Sequence, residues 1–375
     1  MVDQHIRQYM PPWLDDYVRQ MTFSLSFADN SFPDLATWKA AARAKAFELI
    51  GYDPPAVPFA PETLATEDKG KYLQHRLTFA ATPWYRVPAY LLVPKGSGPF
   101  PAVVNCHDHG AFFLYGKEKL VETEADQNAG LKEFKRVCYG GRSTANVLAE
   151  RGYVVLVTDA LFWGERASRD FGEAGIDTST VEGVQQWNAA CYRTAAAFST
   201  NLLNAGISWC AVLLRDDLRA AEFLASLPMV DAGRIASCGL SVGCFRSWSL
   251  AALSDLIAAS VNIGWMTDLK SQMLARCNMT TSEGAMSFTI PQLKKHLDFS
   301  DFASMAAPRP ALFFNGLRDG LFPVPSVEHA YAQMQQVWDS QGLGDRLCCR
   351  LWDVPHEFNR EMQEEAFDWL DRWLK

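Results

Sequence analysis

A chain of 375 residues with 49% hydrophobic and 21% charged side chains has the make-up of an ordinary globular protein with a large core. Its net charge of −8, with no run of Lys or Arg, excludes the positive footprint that nucleic acid or an anionic membrane requires. Nine cysteines without a CxxC pair point to neither a zinc site nor a redox dithiol. The N-terminal MVDQHIRQYMPPWLDDYVRQM has no apolar core of signal-peptide length, and no later stretch reaches bilayer length. A cytoplasmic location is therefore expected.

Residues 1–70 read as a helical extension. ATWKAAARAKAFELIG places apolar residues at helical spacing and closes on Gly51, and the Pro-rich DPPAVPFAPE then breaks the pattern. This segment is free to act as a cap or as a contact in a homo-oligomer. From residue 71 the period changes. YLQHRLTFA and WYRVPAYLLVP alternate as antiparallel edge strands do. Six short apolar runs follow: PAVVNC, YVVLVTD, RIASCGL, IAASVNI, ALFFNG and LCCRLW. The helical stretches STANVLAERG, GISWCAVLLRDDLRAAEFLASL and VGCFRSWSLAALSD lie between them. The expected fold is α/β over residues 71–375, a mostly parallel sheet with antiparallel edge strands and helices on both faces. An insertion at about 160–201, containing Phe162, Trp163 and Trp187, reads as loop or cap material.

The strongest chemical signal is Gly239-Leu240-Ser241-Val242-Gly243, which follows a strand and opens a helix. A nucleophile on so sharp a turn tolerates no side chain two positions to either side, and glycine supplies that room. The helix from Val242 aims free N–H groups at the site, so Val242 N–H is an expected oxyanion donor. Cys238 and Cys244 flank the turn but not its apex, which reads as packing.

A base and an acid are expected after the nucleophile, each on a loop following a strand. Among His296, His329 and His356, only His356 sits on such a loop, WDVPHEF, while His329 is in a helical pattern and His296 in a charged stretch. Asp319, in NGLRDGLFPV, is the expected acid; Asp353 competes from the loop of His356, and Asp301 precedes its strand. After PAVVNC comes His107-Asp108-His109-Gly110. A metal site is one reading of two His and an Asp. The favoured reading is a loop whose backbone, at His109 or a neighbour, gives the second oxyanion N–H, with the His107 imidazole supporting the loop or touching substrate. No metal or cofactor is expected.

The ordered set VPAYLLVPKGSGPFPAVVNCHDHG, VTDALFWGERA, LPMVDAGRIASCGLSVG, NGLRDGLFPV and VPHEF resembles the dienelactone-hydrolase and acetyl-xylan-esterase-like branch of the α/β-hydrolases, over residues 72–375. The resemblance implies a carboxylesterase with Ser241, Asp319 and His356 as its triad, and Ser241 in place of the cysteine of dienelactone hydrolases favours the esterase side. It also marks a block, Asp159, Trp163, Gly164, Glu165 and Arg166, as either a Glu–Arg pairing that anchors a loop or a pocket wall. The expected partner is a small ester, in a pocket drawn from Phe112, Phe113, Tyr115, Phe162, Trp163, Trp265 and Met266. A prolyl-oligopeptidase-type peptidase, a lyase or carbon–carbon hydrolase, and a binding protein without catalysis are the alternatives.

Overall fold

Strands whose every side chain is apolar have no face to turn to water, so they fold only where both faces are covered. Val154–Thr158 (VVLVT) is buried at all its positions and Phe100–Cys106 at all but the first. The computed structural model describes residues 11–28, 31–167, 175–273 and 283–375. Its strands are β1 (Glu62–Asp68), β2 (Tyr72–Ala80), β3 (Arg86–Pro94), β4 (Phe100–Cys106), β5 (Val154–Thr158), β6 (Val230–Leu240), β7 (Ile257–Ile263), β8 (Ala311–Gly316) and β9 (Leu347–Trp352). The helices are α1 (Pro12–Gln20), α2 (Leu35–Ile50), α3 (Ala129–Tyr139), α4 (Thr144–Glu150), α5 (Val181–Asn204), α6 (Trp209–Ala225), α7 (Val242–Leu253), α8 (Leu269–Met273), α9 (Phe299–Ser304), α10 (Val324–Asp339) and α11 (Arg360–Leu374). Short 3₁₀ turns occur between them.

One sheet runs β1-β2-β3-β5-β4-β6-β7-β8-β9. Pairing is antiparallel from β1 to β5 and parallel from β5 onward. Alternate residues of one strand enter opposite cores: Ala102, Val104 and Cys106 of β4 join one cluster and Val103 joins the other. Helices α2, α6, α7 and α10 cover the first face, and α4 and α11 cover the second. A third cluster, with Phe113, Phe162, Trp163, Trp187 and Trp209, sits apart from both. Among the described residues no single helix is long and apolar enough to cross a membrane.

Two expectations change here. Residues 62–68 are not part of a helical extension but a strand, and ETLATED hides it because all seven residues are exposed and carry no burial period. The segment before it is not an appendage either. Trp38, Ala42 and Ala46 of α2 are fully buried in the main core. Arg43 Nε donates to Ala252 O at 2.6 Å and its guanidinium pairs with Asp255, which ties α2 to the end of α7. The insertion, for its part, contains the 24-residue α5 rather than loop alone; residues 168–174 within it lie outside the described set, as does Cys277.

Because Trp38 is a core residue, Trp38→Ala should cost roughly 3–5 kcal/mol. In urea unfolding followed by circular dichroism, the main transition should move to lower denaturant. A small separate transition with the main one unmoved would show instead that the segment folds apart from the sheet.

Candidate active site

At the end of β6 the backbone of Ser241 adopts φ 58° and ψ −124°, and α7 begins at the next residue. A non-glycine residue in this region carries strain of about 1–3 kcal/mol, sustained by its surroundings. The flanking glycines are forced by backbone packing. A Cβ on Gly239 would lie 2.2 Å from Gly243 O, and one on Gly243 would lie 2.1 Å from Cys106 O at the tip of β4. Ser241 N–H donates to Ile263 O at 2.8 Å, pinning the turn to β7. Cys238 and Cys244 are packing residues: burial raises both thiols, that of Cys238 to about 12, and Cys244 Sγ donates to Trp265 O.

The loops after β8 and β9 are joined before their side chains meet. Leu317 N–H donates to Trp352 O at 2.7 Å and Arg318 N–H to Val354 O at 3.1 Å. The loops run so close that a Cβ on Gly316 would sit 2.4 Å from Val354 O. Across this seam His356 Nδ1–H donates to Asp319 Oδ2 at 2.6 Å, and Leu321 N–H donates to Asp319 Oδ1 at 2.9 Å. Both oxygens of a nearly buried carboxylate are thus committed, and the imidazole keeps Nε2 for chemistry. Asp353 instead faces solvent and pairs with Arg318 Nε at 2.9 Å. His296 bonds Ser24 at 2.6 Å, and His329 is exposed, 3.8 Å from Asp268.

The loop 107–110 is built differently from a metal site. His107 is buried; its Nδ1–H donates to Asp108 O at 2.9 Å and its Nε2 accepts from Ala160 N–H at 3.0 Å. Neither nitrogen is left for an ion or a substrate, so His107 belongs to the loop's support and not to a binding surface. His109 Nδ1 accepts from Ala111 N–H at 2.9 Å, which leaves the proton on Nε2, a buried atom without a hydrogen-bond partner among the described residues. Cations hold the carbonyls. Arg246, in a buried pair with Asp217, reaches His107 O at 3.4 Å, and buried Lys119 donates to Asp108 O at 2.9 Å and His109 O at 3.0 Å.

Beside this loop, Lys117 Nζ lies 2.7 Å from each of Asp159, Glu118 and Glu165. Burial alone would lower that lysine, but the three carboxylates outweigh it and hold its pKa up. The ammonium takes the place in this carboxylate group that a metal would need. In the block 159–166 the anchoring reading fits with different partners: Glu165 pairs with Lys117 and Arg76, and Arg166 with Asp216.

A cavity of about 270 Å³ brings Ser241, Val242 and His356 together with His109, Gly110 and Ala111. Trp265 forms part of its wall, along with Tyr192, Phe288 and Leu321, which the sequence did not single out. No hydrogen bond is formed between the Ser241 hydroxyl and the imidazole that shares the cavity with it. The other six expected wall residues do not line it: Met266 belongs to the main core, Phe113, Phe162 and Trp163 to the third cluster, and Phe112 and Tyr115 to a small fourth one. Phe112 stacks on Phe134 with centroids 5.1 Å apart, in its own small cluster. Trp163 is buried behind His109, with Nε1–H donating to His109 O at 3.3 Å.

Burial, reinforced by the charge of Lys119, pushes His109 from 6.5 down to about 3. Between those values the unfolded chain takes up a proton that the folded chain refuses. The contribution to stability is complete above pH 6.5 and is lost as pH falls toward 3. By pH 5 the loss amounts to about 2 kcal/mol, so His109→Gln should narrow the gap in unfolding free energy between pH 7 and pH 5 by that amount. An unchanged gap would mean that the folded chain accepts the proton.

Three comparisons with known proteins agree with this architecture. The family model described as "Abhydrolase family" matches residues 6–337, including the N-terminal segment. A curated protein, "Putative hydrolase YtaP" of Bacillus subtilis (strain 168), is 28% identical over 343 residues, covering 90% of this chain and 100% of that one. Among solved structures, a "putative acetyl xylan esterase" from Bacteroides fragilis NCTC 9343 superposes with a TM-score of 0.70 at 17% identity, over 91% of this chain and 81% of that one. A glucuronoyl esterase from Solibacter usitatus gives a TM-score of 0.62 at 11% identity, over 95% and 100%. At those identities the structures speak to the fold. With its family model spanning most of its length, the chain belongs to the Abhydrolase family and has the α/β-hydrolase fold.

Proposed function

We propose that the protein is a serine esterase that hydrolyses a small, short-acyl ester, with Ser241 as nucleophile, His356 as general base and Asp319 as the group that orients it. The observation that carries this reading is the 2.6 Å bond from His356 Nδ1 to Asp319 beside a cavity shared by the ring and Ser241. Donation from Nδ1 fixes the tautomer in which Nε2 accepts a proton. Ser241 loses its proton to Nε2 as its oxygen attacks the ester carbonyl. The negative charge then moves to the former carbonyl oxygen, facing Val242 N–H at the start of α7 and the loop 107–110. Collapse expels the alcohol, which takes the proton from His356, and water repeats the cycle to free the acid.

The size of the cavity supports a short acyl group. At about 270 Å³ it falls at or below the lower end of ordinary ligand pockets, roughly 300–1,000 Å³. Its walls Trp265, Phe288 and Leu321 are apolar. The acetyl xylan and glucuronoyl esterases among the structural neighbours make acetylated sugars and sugar-acid esters natural additions to a substrate panel.

Turnover of p-nitrophenyl esters of rising chain length should be fastest at acetate or propionate. Ser241→Ala should abolish it while leaving the fold unchanged, and Asp319→Asn should lower kcat by about 10⁴-fold. Asp353→Asn, which alters a solvent-facing pair, should stay within about twofold. Retention of most activity by Ser241→Ala, together with no fluorophosphonate labelling of the unmodified chain, would end the proposal.

A further inference from the structure

An oxyanion site built from a loop has a geometric requirement that a helix N-terminus does not. Each peptide that offers an N–H to the substrate must turn its own C=O the other way, because in a trans peptide the two are opposed. Those carbonyls need partners of their own, away from the cavity. In the loop 107–110 three successive carbonyls meet buried cations. Arg246 reaches His107 O, and Lys119 reaches both Asp108 O at 2.9 Å and His109 O at 3.0 Å. His107 Nδ1–H also donates to Asp108 O, and Trp163 Nε1–H and Phe112 N–H to His109 O, but among the described residues Lys119 is the one donor that meets both carbonyls. The peptides bearing the last two carbonyls are trans, so the amides of His109 and Gly110 point away from the ammonium. Among the described residues neither amide has an acceptor within the chain. Both residues line the cavity that holds Ser241.

Lys119 is an expensive way to achieve this. Its side chain is completely buried, close to Asp108 and over the ring of Phe134, 5.2 Å from the centroid. A buried ammonium is retained only where several acceptors surround it, and here two of the three are loop carbonyls, with the Asp108 carboxylate the most distant at 3.5 Å. Gly110 also has no room for a side chain: a Cβ would lie 2.4 Å from Phe134 and 2.5 Å from Asp108 Oδ2. The loop is therefore clamped from the side opposite the cavity.

We infer that Lys119 is a positioning residue for the oxyanion site, the group that reverses the peptides 108–109 and 109–110 so that the amides of His109 and Gly110 face the oxygen bound at Ser241. The inference rests on the serine-esterase reading above. A bland alternative is that the ammonium only balances the charge of Asp108, and the two differ in what a neutral pair of side chains would do.

The experiment compares Lys119→Met, Lys119→Arg and the double variant Asp108→Asn/Lys119→Met with the unmodified chain, using p-nitrophenyl acetate. Active sites are titrated with a fluorophosphonate and folding is followed by circular dichroism. Loss of a single oxyanion donor lowers kcat by about 10²–10³-fold, so Lys119→Met should lose at least tenfold in kcat per titrated site with KM within threefold. Phosphonylation should slow in parallel, because it too places negative charge on an oxygen at this position. Lys119→Arg, whose fork can reach both carbonyls, should recover part of the loss, and the double variant should stay as slow as Lys119→Met. Wild-type kcat per site in the double variant, or in a folded Lys119→Met, overturns the inference. If Lys119→Met fails to fold, the double variant, which carries no unpaired buried charge, decides alone. A chain that neither labels nor hydrolyses esters before any substitution refutes the serine-esterase reading instead, a result distinguishable from failure of Lys119.

Discussion

Everything in the candidate site depends on one backbone contact, the approach of the β4 tip to the first turn of α7. With Gly243 within contact distance of Cys106 O, and Gly239 beneath Gly243 O, no side chain can separate strand, turn and helix. Ser241 is then held at a positive φ by packing that the rest of the core sustains, through Trp248, Phe245 and Leu250 on α7. The same approach sets the position of the loop 107–110, because that loop begins where β4 ends. Ser241 and the loop are therefore not two features brought together by chance of folding. They are two sides of a single contact.

Buried charge is the second theme. Lys117, Lys119 and the Arg246–Asp217 pair are all inaccessible, and each costs desolvation that a hydrophobic replacement would avoid. Their acceptors explain the placement better than stability does. Asp159 bonds both the ammonium and the backbone N–H of Lys117, and it also accepts from Glu165 N–H. The charges thus fix irregular backbone where no strand or helix supplies partners, a use in which direction matters more than net energy.

The parts of this molecule legible in the sequence are those set by local rules. The elbow was readable because its glycines answer a constraint within two residues of Ser241. The loops of Asp319 and His356 were readable because one follows the fully buried strand β8 and the other the largely apolar run LCCRLW of β9, of which only the ends are buried. By contrast, β1 is a strand only because β2 pairs with it, and ETLATED carries no periodic trace of that pairing. The run YGKEKL looks like solvated charge, yet both of its lysines are wholly buried. Apart from Glu118, which itself looks like solvated charge, their partners lie ten or more residues away, so little near them in the chain marks the burial. Which of its two expected roles His107 takes was hidden for the same reason, since its acceptor role toward Ala160 N–H spans 53 positions.

Walls were less legible than machinery, and the reason bears on specificity. Ser241, Asp319 and His356 stand where the chain leaves the ends of β6, β8 and β9, and backbone bonds tie the last two loops to each other and the Ser241 turn to the end of β7. Tyr192 comes from α5 and Phe288 from the segment before α9, and neither residue bonds to Asp319 or His356. Under the proposed reaction, the room for the acyl group would accordingly be set in part by elements outside the sheet, and proton transfer by loops at the ends of its strands. A change of side chain at 192 or 288 would then reshape the cavity without removing either partner of the 2.6 Å bond between His356 and Asp319. Such a division lets one sheet carry many esterases that differ in substrate. It is also why motifs alone can indicate the chemistry of a chain like this one more readily than its substrate.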